Sequence, residues 1–525
     1  MLLLSKDLEV ENISGIVHHC VRWLPIFIVF LLISKYVLGV NRAIKSPLSR
    51  IPGPWYAPLT TLHLSYAFSK GTIWKDVEKA HRKYGPIFRL GPRQVWISDM
   101  EAMKAILMTV DLPKVTMYAE ISRDRTAPGL FGEIRPGPHR RLKKFLSPAF
   151  TVSYVDNLEF LFSTCIGDLI KKYVDLLSSS SSNSTPIVTD IMQDLHNIAL
   201  DIMGECSFGK GFGQTNPSDS FDFGLEMDAK VWKSIPTAIF KGMTRRYQLV
   251  YIKRFLRRFG FQNEFDWPRE MISAIGAVKG QRITTLDKVR PDLLQHLIDE
   301  GMNPDSGVKM GTREVIDQMA EILLAGSETT SGTIACFFLE ILRNPEVKEK
   351  LLKSLPVLGP TDSIISSQKI RVGSEFEYLE ACIKEALRLH PIASEMGRKI
   401  GAHPVELMGY YLPPYTVVSA SYRELHRNSE HWPEPMRFWP ERWLQNRPEG
   451  VPAPNLQAYY PSSAGKHACI GKNFALAEIR MVTANIFSRF DFNEVSGQDV
   501  DFRQYITMQF EHGSWKAFVK PRYES

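Results

Sequence analysis

Near the C-terminus the run Gly465-Lys466-His467-Ala468-Cys469-Ile470-Gly471 sets one cysteine between two glycines. Glycine lets a backbone turn tightly and approach a flat object. The following Asn473-Phe474-Ala475-Leu476-Ala477-Glu478-Ile479-Arg480 has the apolar spacing of a helix. A sulfur at a loop-to-helix junction gains from the positive helix N-terminus, which favours thiolate over thiol, and a thiolate ligates metals. Most cysteines of this kind are inert packing, so Cys469 takes its meaning from the rest of the chain.

A second group lies at Ala325-Gly326-Ser327-Glu328-Thr329-Thr330-Ser331. Small residues, an acid and adjacent hydroxyls stand here inside an otherwise apolar helical pattern, where Ser and Thr bond back to preceding carbonyls and bend the axis. An unpartnered buried carboxylate costs several kcal/mol, so Glu328 requires water, a partner or a task. Ala325 and Gly326 also make room for something lying against the helix. Glu385 and Arg388, three apart on a second helical pattern, share one face and can pair. Arg442, in Pro440-Glu441-Arg442-Trp443, adds a cation in an ordered loop.

The elements that position these groups are mostly helical. The longest pattern covers residues 313–342 and is apolar nearly all round, so it runs through a core. Another covers 378–389 and stops at Pro391. Upstream, the spacing predicts a helix over 74–84, two strands over 86–90 and 94–98 across a Gly91-Pro92 turn, a basic helix over 138–150, and helices over 155–177, 187–207 and within 220–300. Short alternating segments follow at 405–413 and 416–420. Residues 178–185 form a low-complexity polar loop, and Asn183-Ser184-Thr185 is a sequon that a cytosolic body leaves unmodified.

Residues 21–40 are apolar over a length that crosses a bilayer, with Lys35 near one end. Asp7, Glu9 and Glu11 precede the span, whereas Arg42, Lys45 and Arg50 follow it, which places the C-terminal bulk on the cytosolic side. Residues 41–58, with Pro52, Pro54 and Pro58, are expected as a stiff hinge, and 59–525 as one catalytic domain without repeats. A net charge of +7 without a basic tail gives no reason to expect nucleic acid. The 6 cysteines are scattered, with no C-x-x-C pair, as expected for reduced thiols.

Taken in order, these stretches resemble the cytochrome P450 family of haem-thiolate monooxygenases along essentially the whole chain after the anchor. The resemblance rests on the Ala325–Thr330 helix motif, the Glu385-x-x-Arg388 pair, the Pro440-Glu441-Arg442-Trp443 segment and the Gly465–Gly471 cysteine loop. It implies a mainly α fold with small β-sheets and a single large haem domain. It also implies Cys469 as axial ligand of haem b, Glu328 and Thr329 as the acid-alcohol pair that delivers protons, and Glu385, Arg388 and Arg442 as a buried structural network. Arg398 and His467 match donors to the haem propionates. The basic helix offers His139 and Lys143 where the family has Trp and Arg. His467 replaces a usual Arg, and Ser462 a usual Phe, which exposes the sulfur and alters its potential. Substrate contacts are implied for residues 116–132, 325–329, 392–396 and around Met508.

The anchored type further implies an endoplasmic reticulum membrane, a lipophilic substrate, O2, and an NADPH-dependent flavoprotein reductase, with cytochrome b5 as a further donor. The reductase docks on a basic face built from Arg140, Arg141, Lys143, Lys144, Lys466 and Lys472. The motifs look fungal, which points to terpenoid, steroid or polyketide-like substrates. Two other readings compete: a haem-thiolate isomerase or dehydratase that bypasses the reductase, against which the Glu328-Thr329 pair argues, and a haem-binding protein without turnover.

Overall fold

A computed structural model describes residues 23–24, 26–31, 33–34, 36–120, 128–179, 187–216, 232–237, 256, 258–261, 269–284 and 292–523. Lys35, the acidic residues before the span, the sequon and most of 220–291 lie outside them. Helix α1 (Ile26–Lys45) has a mean hydropathy of 1.7 and leaves most of its described side chains exposed, with Ala43 near its end buried. It runs past Val40 to Lys45, and Ser46 caps the turn Pro47–Arg50. The proline-rich stretch beyond is docked rather than free. Arg89 N–H donates to the Pro52 carbonyl (2.8 Å), and a Cβ on Gly53 would fall 2.2 Å from the Arg89 carbonyl oxygen.

Helices α2 (Leu62–Lys70) and α3 (Ile73–Tyr84) precede β1 (Ile87–Gly91) and β2 (Gln94–Ile97), which pair antiparallel from Ile87↔Ile97 to Gly91↔Gln94. Helices α4 (Pro136–Leu146) and α5 (Glu159–Ser179) follow. Residues 187–207 depart from expectation, because Ile187–Asp190 is a strand, β3, and α6 begins only at Ile191 (Ile191–Phe208). Asp190 decides the boundary. Its carboxylate accepts from Gln193 N–H (3.2 Å), capping the helix, and from Trp515 N–H (3.1 Å), tying the strand to the chain's end.

The core is built on α7 (Thr312–Arg343), opened by Glu314 accepting from Gly311 N–H (2.8 Å). Every residue from Thr330 to Leu339 is buried. The small residues at its middle make room, as expected, but for protein: a Cβ on Gly326 would lie 2.4 Å from Met203 Sδ of α6. Helices α8 (Glu377–Leu389), α9 (Tyr422–His426) and α10 (Lys472–Arg489) follow among other, mostly shorter helices, and Phe337 and Phe338 of α7 pack on Phe487 of α10.

The remaining strands are β4 (Glu395–Lys399), β5 (Val405–Leu407), β6 (Tyr410–Leu412), β7 (Val417–Ser421), β8 (Phe490–Glu494), β9 (Phe502–Gln504), β10 (Met508–Phe510) and β11 (Lys516–Pro521). They form a four-stranded sheet β1-β2-β7-β4, a three-stranded sheet β3-β11-β8 and the hairpins β5-β6 and β9-β10. In the largest sheet β2 runs parallel to β7, and β4 lies antiparallel to β7 from Glu395↔Ser421 to Lys399↔Val417. This register buries Arg398 completely at the sheet edge.

Candidate active site

The cysteine loop is held from three directions. Gly465 adopts φ +71°, and a Cβ there would sit 2.1 Å from the Leu107 carbonyl oxygen, so only glycine permits this approach. Cys469 N–H closes the turn on the Ser462 carbonyl (2.9 Å). Lys143 of α4 donates to the Lys466 and Ala468 carbonyls, both at 2.8 Å, and so clamps the segment that carries His467. The residue expected at the propionates thus spends its ammonium mainly on the loop itself.

Cys469 is accessible to solvent, yet protein crowds it enough that burial pushes its thiol up. Gly471 N–H, Lys143 and Lys472 act the other way and favour thiolate. Gly471 has an ordinary φ of −80° and opens α10. The nearest atom to an added Cβ there is Cys469 Sγ at 4.0 Å, an ordinary contact distance.

Around the sulfur's side of the loop stands a group of cations. Arg398 is fully buried, its Nη1 donates weakly to its neighbour's carbonyl (3.3 Å), and its Nε and Nη2 have no hydrogen-bond partner among the described residues. Lys114, which carries no sequence motif, bridges to Arg398 through the backbone and is buried with it. Its Nζ donates to the Leu130 (3.0 Å) and Phe131 (2.9 Å) carbonyls, and burial lowers it to about 7. The rings of His139 and His467 lie 4.4 Å apart, and Nδ1 of His467 is buried without a hydrogen-bond partner among the described residues. Burial and the neighbouring cations press His139 down to about 2 and His467 to about 4. Neutral imidazoles and two buried cations without an ion pair among the described residues call for an anion. A flat cofactor with a metal for Cys469 and carboxylates for Arg398 and Lys114 fits this donor set.

The expected structural network has its ion pairs within the protein by contrast, although Nε and Nη1 of Arg442 make no hydrogen bond among the described residues. Glu385 and Arg388, both 0% exposed, form a bidentate pair at 2.8 and 2.9 Å. Glu385 also accepts from Trp439 N–H (3.0 Å) and Trp443 Nε1 (2.9 Å), and lies 3.5 Å from Arg442 Nε. Arg388 continues to the carbonyls of His426 (2.7 Å) and Pro435 (2.8 Å). His426, unremarked in the sequence, relays the network to the loop. One ring nitrogen meets the Arg388 carbonyl (3.1 Å), and the other accepts Tyr460 N–H (2.8 Å). Burial and Arg388 lower its pKa to about 3, which keeps it neutral for both tasks.

On α7, Thr329 donates to the Ala325 carbonyl (2.6 Å), whereas Glu328 meets the β9-β10 hairpin through Thr507 Oγ1 (3.3 Å). Burial raises Glu328 above the usual carboxylate range. The two residues expected as a pair are adjacent in sequence but bonded to different partners. Of the expected substrate segments, 121–127 lie outside the described residues. The loop behind them is fixed to α7, where Gln318 accepts from Leu130 N–H (3.1 Å) and Glu321 from Phe131 N–H (3.0 Å). Met508 N–H donates to the Ile392 carbonyl (2.9 Å), which joins two more of those segments.

The family model described as Cytochrome P450 matches residues 51–513. Curated relatives include Cytochrome P450 monooxygenase FUS8 of Gibberella fujikuroi, 30% identical across 100% of this chain and 98% of that protein. Averantin hydroxylase of Dothistroma septosporum is 29% identical over 90% of this chain and 85% of its own. Benzoate 4-monooxygenase bphA of Aspergillus niger is 28% identical over 88% and 90%.

Proposed function

Because the chain belongs to the cytochrome P450 family and is a haem-thiolate monooxygenase, we propose that Cys469 would supply its sulfur to the iron of haem b, with Arg398, Lys114, His467 and His139 available to its carboxylates while Lys143 holds the loop. Bound haem supplies the oxygen chemistry, by which one atom of O2 enters a lipophilic substrate and the other leaves as water. The protein's residues divide the remaining work. Gly471 N–H, Lys143, Lys472 and the start of α10 stabilise the thiolate. Glu328 holds a proton that Thr329, a donor and acceptor in one group, passes inward. Glu385, Arg388 and Arg442, through His426 and Tyr460, keep the loop in place. Relatives named as a hydroxylase and a 4-monooxygenase support hydroxylation as the reaction type.

The observation that carries this reading is the accessible Cys469 on a loop whose His467 neighbours Arg398 and Lys114, buried cations without an ion pair among the described residues. The reduced protein under carbon monoxide tests it. The thiolate-type band is expected in the wild type and lost in Cys469→Ala; its absence from the wild type overturns the reading.

Electrons are proposed to come from NADPH through a flavoprotein reductase, with cytochrome b5 as a further donor, at a basic face smaller than the sequence alone implies. Lys466 pairs with Asp111 (2.7 Å) and Arg141 approaches Asp305 (3.8 Å), while Arg140, Lys144 and Lys472 are exposed with no ion pair among the described residues. Lys144→Glu is expected to slow reduction at low salt and to matter little at high salt. Helix α1 would anchor the body on the cytosolic face of the endoplasmic reticulum, supported by Arg42, Lys45 and Arg50 after the span.

A further inference from the structure

The acid of the core helix is gripped by a strand hairpin from the far end of the chain. Thr507, in the turn between β9 and β10, donates to Glu328 Oε2 (3.3 Å), and Gln509 Nε2 donates to the Glu328 carbonyl (2.8 Å). The seat is shaped for this contact, since a Cβ on Gly332, one turn along α7, would lie 3.1 Å from Gln509 Nε2. Glu328 and Gly332 therefore present one face to the hairpin. Thr329 points its hydroxyl back to the Ala325 carbonyl (2.6 Å), and among the described residues no hydrogen bond joins it to the Glu328 carboxyl.

We propose that Thr507 is a positioning residue that holds the Glu328 carboxyl on the hairpin, away from Thr329, and so limits proton passage to Thr329. The inference rests on the monooxygenase reading with NADPH as reductant. Its logic is economy of reductant: a relay joined at rest passes protons with no substrate to receive oxygen. The proton balance is simple. On release the carboxyl gives its proton toward the Thr329 hydroxyl and regains one from water. Arg503, on β9 of the same hairpin, is the charged group that acts on Glu328. From α6, α8 and α10, which also pack on α7, no charge does so among the described residues. Arg503 and the Thr507 hydroxyl both favour the ionised carboxylate against burial.

The test uses the full-length holoenzyme with excess flavoprotein reductase, NADPH and no added substrate, in H2O and D2O between about pH 6 and 9. Thr507→Val is expected to consume NADPH about threefold faster than wild type, with a changed solvent isotope effect. The pH midpoint should move upward, because the carboxylate has lost a hydrogen bond that stabilised it. Thr507→Ser should restore wild-type behaviour, and Glu328→Gln should abolish the effect of Thr507→Val. If Thr507→Val takes up no cofactor, Thr507→Ala carries the same comparison. Thr507→Val with the wild-type rate, isotope effect and midpoint, in protein that shows the carbon monoxide band, overturns the inference alone. A wild type without the carbon monoxide band overturns the monooxygenase reading and this inference together.

Discussion

Two clusters of buried cations flank the cysteine loop, and they are finished differently. In the network behind the loop, Arg388 and Arg442 share the Glu385 carboxylate, and further donors come from Trp439 and Trp443. In the cluster in front, Arg398 and Lys114 are as deeply buried but have no ion pair among the described residues, and the imidazoles beside them are held neutral. Arg442 also keeps Nε and Nη1 without a hydrogen bond among the described residues, so the difference lies in charge: Glu385 stands within ion-pair distance of both arginines behind the loop, and no carboxylate stands so close to Arg398 or Lys114 among the described residues.

The contrast can be broken most severely on the closed side. Arg388→Ala removes the bidentate partner of Glu385 and leaves the buried carboxylate with Arg442 and two tryptophan donors alone, so it should cost about 3 kcal/mol of folding stability and abolish cofactor uptake. Chemical denaturation and the carbon monoxide band measure both. On the open side, Lys114→Met should leave a folded protein that releases haem roughly tenfold faster to apomyoglobin, the size expected for one charged hydrogen bond of ~1.5 kcal/mol, with Lys114→Arg recovering most of the loss. Haem release unchanged in Lys114→Met would mean that the open cluster does not face the carboxylates.

A subtler effect concerns the cofactor-free protein. Lys114 sits at about 7 when folded against an ordinary 10.5, so the unfolded chain binds more protons between those values and stability rises with pH across that window. Urea denaturation from pH 7 to 10 should show this rise in wild type and a flatter profile in Lys114→Met. The smallest expected change is at Ser462. Phenylalanine there adds apolar cover near the sulfur and disfavours the more negative reduced state, so Ser462→Phe should lower the reduction potential by about 30 mV. Spectroelectrochemistry on the ferric and ferrous protein measures it, and no shift would remove any special meaning from this departure.

The closed network was legible in the sequence because its anchor is local: Glu385 and Arg388 share a helix face, and Pro440-Glu441-Arg442-Trp443 is a compact signature. The cysteine loop and the middle of α7 were legible for the same reason. Lys114 was not, since its pairing with Arg398 is a single backbone bridge between distant segments and its neighbours Pro113 and Val115 say nothing of charge. Thr507 and His426 escaped likewise, each acquiring its role from a partner on another element. The strand at Ile187–Asp190 was hidden by its brevity: four residues ahead of a strong helical pattern take their pairing from β11 at the chain's other end. The basic face shrank because charge is visible in sequence while its neutralisation by Asp111 and Asp305 is not.

The contact of Gly326 with Met203 carries a consequence for how such a protein ages. Within an enzyme that handles oxygen, a thioether is pressed so closely on the core helix that even a methyl group has no space there. Sulfoxidation of Met203 adds an atom and a dipole at the same spot, and α6 and α7 must part to admit it. Wasteful turnover thus has a built-in record, and peptide mass spectra of protein spent in NADPH without substrate should find that oxygen on Met203 as activity fades.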